Sequence, residues 1–150
     1  IFSALSEAEL EQIVNLAVEK QYEAGGTIFG EGDNADELIV LQEGKVALQM
    51  TMREAPGQMS KRVTVDIASK NDIIGWSAVV EPFTYTLTAV CLQRVKVVSI
   101  NGNKLRWLLE DNHNLGFNIL KRLIKVVASR LEETRLLLIS ERSFTSLRYR

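Results

Sequence analysis

The chain has 150 residues, of which 46% are hydrophobic and 25% are charged, and its formal net charge is −1. This composition is typical of a globular domain that buries a sizeable core without metals or several disulfides. The near-zero charge gives no indication of nucleic-acid or membrane binding, and no apolar run reaches the length of about 18 residues that spans a bilayer. Cys91 is the only cysteine, which excludes an intramolecular disulfide and fits a cytoplasmic protein. No signal peptide is visible, and the start at Ile1 without Met leads us to expect a further segment upstream.

The first predicted element is a helix. Ser6 and Glu9 are spaced as a capping box, in which each side chain satisfies a free backbone N–H at a helix start. Apolar residues then follow at helical spacing, namely Leu10, Ile13, Val14, Ala17 and Val18. This pattern predicts a helix that ends near Lys20.

After this helix the apolar residues alternate with a period of two, which is typical of strands. The strand candidates are residues 27–29, 38–41, 45–51, 62–67, 84–91 and 95–100. Turn residues separate them, such as Gly25-Gly26, Glu43-Gly44 and Pro56-Gly57. Many short strands at such intervals predict an all-β sandwich, roll or barrel.

The last third of the chain is helical again. A short helix is predicted from Asn101 or Gly102 to Asn112, and a long helix from about Leu115 to Glu141. The long helix carries a heptad seam whose only polar member is Thr134, formed by Phe117, Leu120, Ile124, Val127, Leu131, Thr134 and Leu138. A second apolar stripe, Ile119, Leu123 and Val126, lies on a neighbouring face. Two stripes need two partners, so we expect a parallel homodimer through the seam. The alternative is a helix buried entirely within one subunit.

Residues 28–33 read Ile-Phe-Gly-Glu-Gly-Asp, and two apolar segments follow on either side of Glu43-Gly44. Gly32 permits a positive φ, and Gly44 lets two strands reverse tightly. This pattern resembles the first hairpins of the cyclic nucleotide-binding fold of the catabolite activator protein superfamily. The resemblance extends from about Leu5 to Glu141. It implies a mainly β fold with flanking helices, which is a double-stranded β-helix of the jelly-roll or cupin type followed by a long dimerisation helix.

Residues 72–86 resemble that family's phosphate-binding cassette. The cassette is a strand end, a Gly, a Glu, a one-turn helix with Ala, and then an Arg followed by Thr or Ser. Backbone N–H groups at the start of such a turn can face an anion, and hydroxyls can add further donors. The candidate ligand-binding residues here are Gly75, Trp76, Ser77, Ala78, Tyr85 and Thr86. The resemblance implies a cyclic nucleotide or another small anionic ligand as effector, although no cofactor is certain.

Two positions of the cassette depart from the family pattern. Trp76 stands where the family has the Glu that accepts from the ribose hydroxyl, and Tyr85 stands where it has the Arg that pairs with the cyclic phosphate. A hydrogen bond to a charged group contributes about 1.5–3 kcal/mol, so losing both predicts nucleotide binding weaker by roughly two to four decades.

Three interpretations of these aromatics stay open. They plug the cavity, they wall a pocket for another ligand, or a nucleotide binds through backbone donors alone. If the turn at Gly75 stays accessible, we expect a weak anion site there. If it is closed, the Tyr85 hydroxyl stands in for the anion.

The long helix carries a further resemblance. The family's nucleotide base reaches this helix a few positions after an Arg-Leu pair, and here Arg130-Leu131 is followed by Thr134 and Arg135 at the matching places. These two are therefore further candidate ligand residues. A ligand or the second subunit can supply the hydrogen-bond partner of Thr134 within the seam, while the alternative is that Thr134 sets the helix register.

The resemblance divides the chain into an N-terminal helix with a β-roll (1–114), a dimerisation helix (115–141) and a basic tail (142–150). The family's transcription factors continue into a helix-turn-helix, for which residues 142–150 are too short. We therefore expect no DNA-binding segment in this chain. It is either a stand-alone domain or one whose output domain was removed.

Residues for catalysis are sparse. His113 is the only histidine and lies at a polar helix junction, so we expect neither an enzyme nor a metal site.

The resemblance implies a cyclic-nucleotide-binding-like regulatory or sensor domain whose pocket occupancy moves the dimer helix, without binding cyclic AMP in the usual way. The alternative is a protein-interaction or dimerisation module whose pocket is filled by its own side chains.

Overall fold

Two antiparallel sheets form the body of the molecule. The computed structural model describes residues 6–52, 56–57 and 59–148, with side chains as far as residue 142. Its strands are β1 (Ala17–Tyr22), β2 (Thr27–Phe29), β3 (Glu37–Glu43), β4 (Val46–Met52), β5 (Lys61–Ala68), β6 (Ile73–Ile74), β7 (Thr88–Cys91) and β8 (Val95–Asn101). One sheet has the order β1-β8-β3-β6 and the other β2-β7-β4-β5.

Three α-helices flank the sheets, and a short 3-10 helix lies between β6 and β7. The α-helices are α1 (Glu7–Val14), α2 (Gly102–Asp111) and α3 (His113–Arg148), and the 3-10 helix is Trp76–Val79. The capping box of α1 forms as predicted between Ser6 and Glu9. The antiparallel double sheet followed by a long helix confirms the predicted jelly-roll fold.

The prediction of a first helix as far as Lys20 is wrong. The helix α1 ends at Val14, and the next residues form β1. Each residue from Ala17 to Tyr22 faces a residue of β8, from Ile100 back to Val95. Pairing along β8 outweighs the helical spacing of Ala17 and Val18, because a strand is stabilised mainly by its neighbours in the sheet.

The strand predicted over residues 84–91 is shorter, and β6 was not predicted. Regular pairing begins only at Thr88. Before it, the backbone of Tyr85 is hydrogen-bonded to Gly32 and Asp33, at 2.9 Å in both directions. The β2–β3 loop therefore holds this segment in place of a neighbouring strand.

The long helix packs on the β-roll through only part of its length. Leu115, Ile119 and Leu123 are buried, Val126 is half-buried, and every side chain from Leu131 to Arg142 is exposed. The helix continues to Arg148, beyond the end predicted at Glu141 and into the residues assigned to a basic tail. The division of the chain into roll, helix and tail stays a prediction. None of the described helices is both long and apolar enough to cross a membrane.

Candidate functional site

The cassette begins where β6 ends, at a glycine in the left-handed region. Gly75 has a φ of +76°, which favours a residue without a Cβ. A Cβ at this position would lie 3.0 Å from the carbonyl oxygen of Glu37 and 3.2 Å from Cε1 of Tyr85. The turn at Gly75 therefore packs directly against Tyr85.

Tyr85 is buried, with 6% of its surface exposed. Its ring stacks on Phe29 with the centroids 3.9 Å apart and an interplanar angle of 10°. Its hydroxyl donates to the carbonyl oxygen of Glu37 at 2.7 Å and accepts from the Glu37 N–H at 3.0 Å. Burial raises the pKa of Tyr85 to about 12, although the hydrogen bond to the Glu37 backbone acts in the opposite direction. Burial thus holds the side chain neutral, while the contacts on its ring and its hydroxyl fix its position.

The space that remains beside Tyr85 is very small. The cavity has a volume of about 20 Å³, which is room for about one water molecule. Its lining includes five of the predicted ligand residues, Gly75, Trp76, Ser77, Tyr85 and Thr86, together with Phe29, Leu48, Ile74 and Leu87. These five residues therefore line one cavity, which in this conformation has no room for a nucleotide. Their role in ligand binding stays a prediction.

Most of the other hydrogen-bond donors predicted for an anion at this turn are partly buried or already bonded within the chain. The N–H of Ala78 already donates to the carbonyl oxygen of Gly75 at 3.0 Å, and Ala78 itself is buried. Trp76 and Ser77 are half-buried, whereas Thr86 is exposed.

An open groove of about 730 Å³ also borders Tyr85. Its lining includes the acidic residues Asp33, Asp36 and Glu37. A concentration of carboxylates on this side disfavours an anionic ligand there.

Thr134 and Arg135 lie away from this cavity. Neither belongs to the residues that line it, and both side chains are exposed on α3. The hydroxyl of Thr134 donates to the carbonyl oxygen of Arg130 at 2.9 Å, so its own helix supplies a hydrogen-bond partner. A single subunit does not bring the two halves of the predicted site together.

The family model for the cyclic nucleotide-binding domain matches residues 19–112, which is more than half of the chain. The chain belongs to the cyclic nucleotide-binding domain family. It is also 25% identical over 134 residues to a CRP-like cAMP-activated global transcriptional regulator of Mycobacterium tuberculosis. That match covers 89% of this chain and 56% of the regulator, so the chain spans little more than half the length of this relative.

Solved structures show the same fold. A cyclic nucleotide-binding domain from Methylobacillus flagellatus KT superposes with a TM-score of 0.78 at 18% identity, over 94% of this chain and 76% of that one. The catabolite activator protein of Thermus thermophilus superposes with a TM-score of 0.66 at 20% identity, over 91% and 60%. The chain therefore has the fold of these cyclic nucleotide-binding domains.

Sequence reasoning missed three residues that shape the site of this domain. Phe29 stacks on Tyr85, Glu37 binds the Tyr85 hydroxyl through its backbone, and Arg106 of α2 donates to the carbonyl oxygen of Ala78. The guanidinium of Arg106 also lies 4.0 Å above the ring centroid of Phe83. These contacts join residues far apart in the chain, and no local pattern could have indicated them.

Proposed function

We propose that this cyclic nucleotide-binding domain is a dimerising regulatory domain whose ligand site is filled by its own Tyr85. The observation that carries this proposal is the buried Tyr85 ring, stacked on Phe29 and hydrogen-bonded twice to the backbone of Glu37. It supports the interpretation in which the aromatics plug the cavity. Tyr85 is the plug, and Trp76 is a partly exposed wall.

Displacing Tyr85 costs interactions that a nucleotide does not replace. Each hydrogen bond to Glu37 contributes about 0.5–1.5 kcal/mol, and the stacked pair adds about the same. A cyclic phosphate entering this space would also lack the arginine that neutralises it in the family. Both effects oppose binding, so we expect cyclic AMP and cyclic GMP to bind weakly or not at all.

The dimer is supported by the exposure of the heptad seam. In the single chain, the exposed fraction is 66% for Phe117, 67% for Ile124 and 50% for Leu131. The second stripe, which includes Ile119 and Leu123, is buried within the subunit. Because the helix has already used one apolar face within the subunit, the regularly spaced exposed face fits a second copy of α3.

Calorimetric titration tests the filled pocket. With the wild-type chain we expect no cyclic AMP or cyclic GMP affinity tighter than about 10 μM, which corresponds to roughly 7 kcal/mol. The matched variant carries Trp76→Glu and Tyr85→Arg and restores the family's two contacts. We expect tighter binding in this variant if it folds. Wild-type affinity tighter than that limit would contradict a permanently filled site.

A sensor of another small anion is the second candidate. Its support is that the Ser77 and Thr86 residues line the small cavity beside Gly75, where a hydroxyl can donate. In that case Tyr85 must move to admit the anion, and anion binding in the cavity must change the position of α3. Thermal-shift measurements with sulfate and phosphate at low millimolar concentration distinguish the two. At these concentrations the general stabilisation by such salts is small, so a filled pocket predicts no saturable rise in melting temperature.

A further inference from the structure

A change in exposure marks the place where α3 leaves the roll. Arg130 is the last residue of the helix, among those whose side chains are described, that is not exposed. Only 13% of its side chain is accessible. Everything that follows as far as Arg142 projects into solvent in the single chain. The contacts of Arg130 therefore lie at the point where the free half of the helix begins.

Arg130 is paired with two carboxylates from different parts of the roll. Its Nη1 donates to Oδ2 of Asp66, and its Nη2 lies 3.5 Å from Oδ2 of Asp72. The accessible fractions of the two aspartate side chains are 33% and 40%. A guanidinium has donors arranged as a planar fork, which allows one residue to hold two carboxylates at once.

The two aspartates have fixed positions. Asp66 is on β5 opposite Leu48, next to a β-bulge, and a bulge re-aims the side chains beside it. Asp72 closes the turn that begins at Ser69, because its Oδ2 accepts from the Ser69 N–H at 2.8 Å. This turn leads directly into β6 and Gly75. Arg130 thus joins the helix to the segment that carries the cassette.

We propose that Arg130 is a positioning residue that latches α3 to β5 and to the turn before the cassette, without any ligand. We call Arg130, Asp66 and Asp72 the Arg130 latch. The proposal deepens the proposed function and rests on it, because a helix held by an internal ion pair needs no nucleotide to position it. Removing the guanidinium leaves two carboxylates facing each other without their cation, which favours separation of the helix from the roll.

Hydrogen exchange of the full chain tests the latch. In Arg130→Met we expect the backbone amides of residues 126–136 to exchange at least about tenfold faster, while the amides of β8 keep their wild-type rates. Arg130→Lys keeps the charge but not the fork, and we expect a smaller acceleration. Unchanged rates at residues 126–136 would contradict the latch. Equal acceleration in β8 would also contradict it, because it would indicate a loss of global stability only.

Two further variants complete the test. Lys96→Met removes a cation paired with Glu43 at 3.8 Å, away from α3, and we expect no change at residues 126–136. If Arg130→Met does not fold, the double variant Asp66→Asn with Asp72→Asn leaves Arg130 in place, and it must give the same local acceleration for the proposal to stand.

The latch is intramolecular, but the tested segment also contains the seam residues Val127, Leu131 and Thr134, so variants are compared with wild type in the same oligomeric state. Light scattering at the same protein concentration establishes the oligomeric state of each variant. Local acceleration in a chain that proves monomeric would support the latch and remove the dimer. An unchanged exchange rate at residues 126–136 in a chain that proves dimeric would support the dimer and contradict the latch.

Discussion

Tyr85 is the side chain that fills the ligand site in our proposal. Its ring stacks on Phe29, and its hydroxyl accepts a hydrogen bond from the N–H of Glu37 and donates one to the carbonyl oxygen of Glu37. Gly75 makes this arrangement possible, since a Cβ there would approach both the Tyr85 ring and the Glu37 carbonyl oxygen. The plug therefore requires three residues from three different segments of the chain.

The raised pKa of Tyr85 predicts a pH dependence. The value is about 12 in the folded chain, against about 10 for an unperturbed tyrosine. Because the folded pKa is the higher one, the contribution to stability is complete below about pH 10 and is lost as the pH rises toward about 12. Over this range we expect the free energy of unfolding to fall by about 2 kcal/mol more in the wild type than in Tyr85→Phe.

Urea unfolding at a series of pH values gives this difference. The pKa of Lys20 is also raised, by its hydrogen bond to Glu37, so both proteins lose some stability at high pH. That loss is common to both and cancels in the comparison. Parallel curves for wild type and Tyr85→Phe would show that the Tyr85 hydroxyl is not held in its neutral form by the fold.

At the scale of single residues, the sequence predicts which residues line the cavity better than it predicts whether the cavity is filled. Trp76 and Tyr85 stand out as departures within the cassette, and both do line one small cavity. Which aromatic fills it depends on Phe29, whose position follows from the pairing of β2 with β7. Such long-range geometry has no local signature, so the choice between a plug and a wall could not be made from the sequence.

Among the secondary-structure elements, α3 carries two apolar stripes that differ in burial. Its first half buries Leu115, Ile119 and Leu123 on the roll, and its seam stays exposed. The sequence predicts both stripes because helical periodicity is local. It does not predict that Ala17 begins a strand, because that depends on β8.

The heptad seam predicts that a charge introduced at one of its positions prevents dimer formation. In Leu131→Glu we expect a monomer, because the seam position would place two like charges opposite each other at the helix interface. Light scattering measures the change. The matched control is Leu136→Glu, since Leu136 is 59% exposed, similar to Leu131, but lies opposite the seam in the heptad. A monomer in both variants, or a dimer in both, would remove the seam as the interface.

Across the whole molecule, the roll and the long helix are joined in two ways. Apolar contacts hold the first half of α3, and ion pairs of Arg130 with Asp66 and Asp72 lie at the point where the helix departs. Separately, α2 reaches the cassette through Arg106. An all-β body could be predicted from alternating apolar residues and glycine turns, which act over a few positions, and the jelly-roll fold followed from the resemblance to the family. The latch could not, because its three residues become neighbours only in the folded chain.

The most direct measurement is sedimentation equilibrium of the wild-type chain, with and without cyclic AMP at about 1 mM, a concentration that would saturate a site with a Kd of about 10 μM. We expect a dimer in the absence of nucleotide, with a dissociation constant that cyclic AMP leaves unchanged within about twofold. A chain that is monomeric until cyclic AMP is added, or a dimer affinity that changes by about tenfold or more, would contradict a regulatory domain whose pocket is filled by Tyr85.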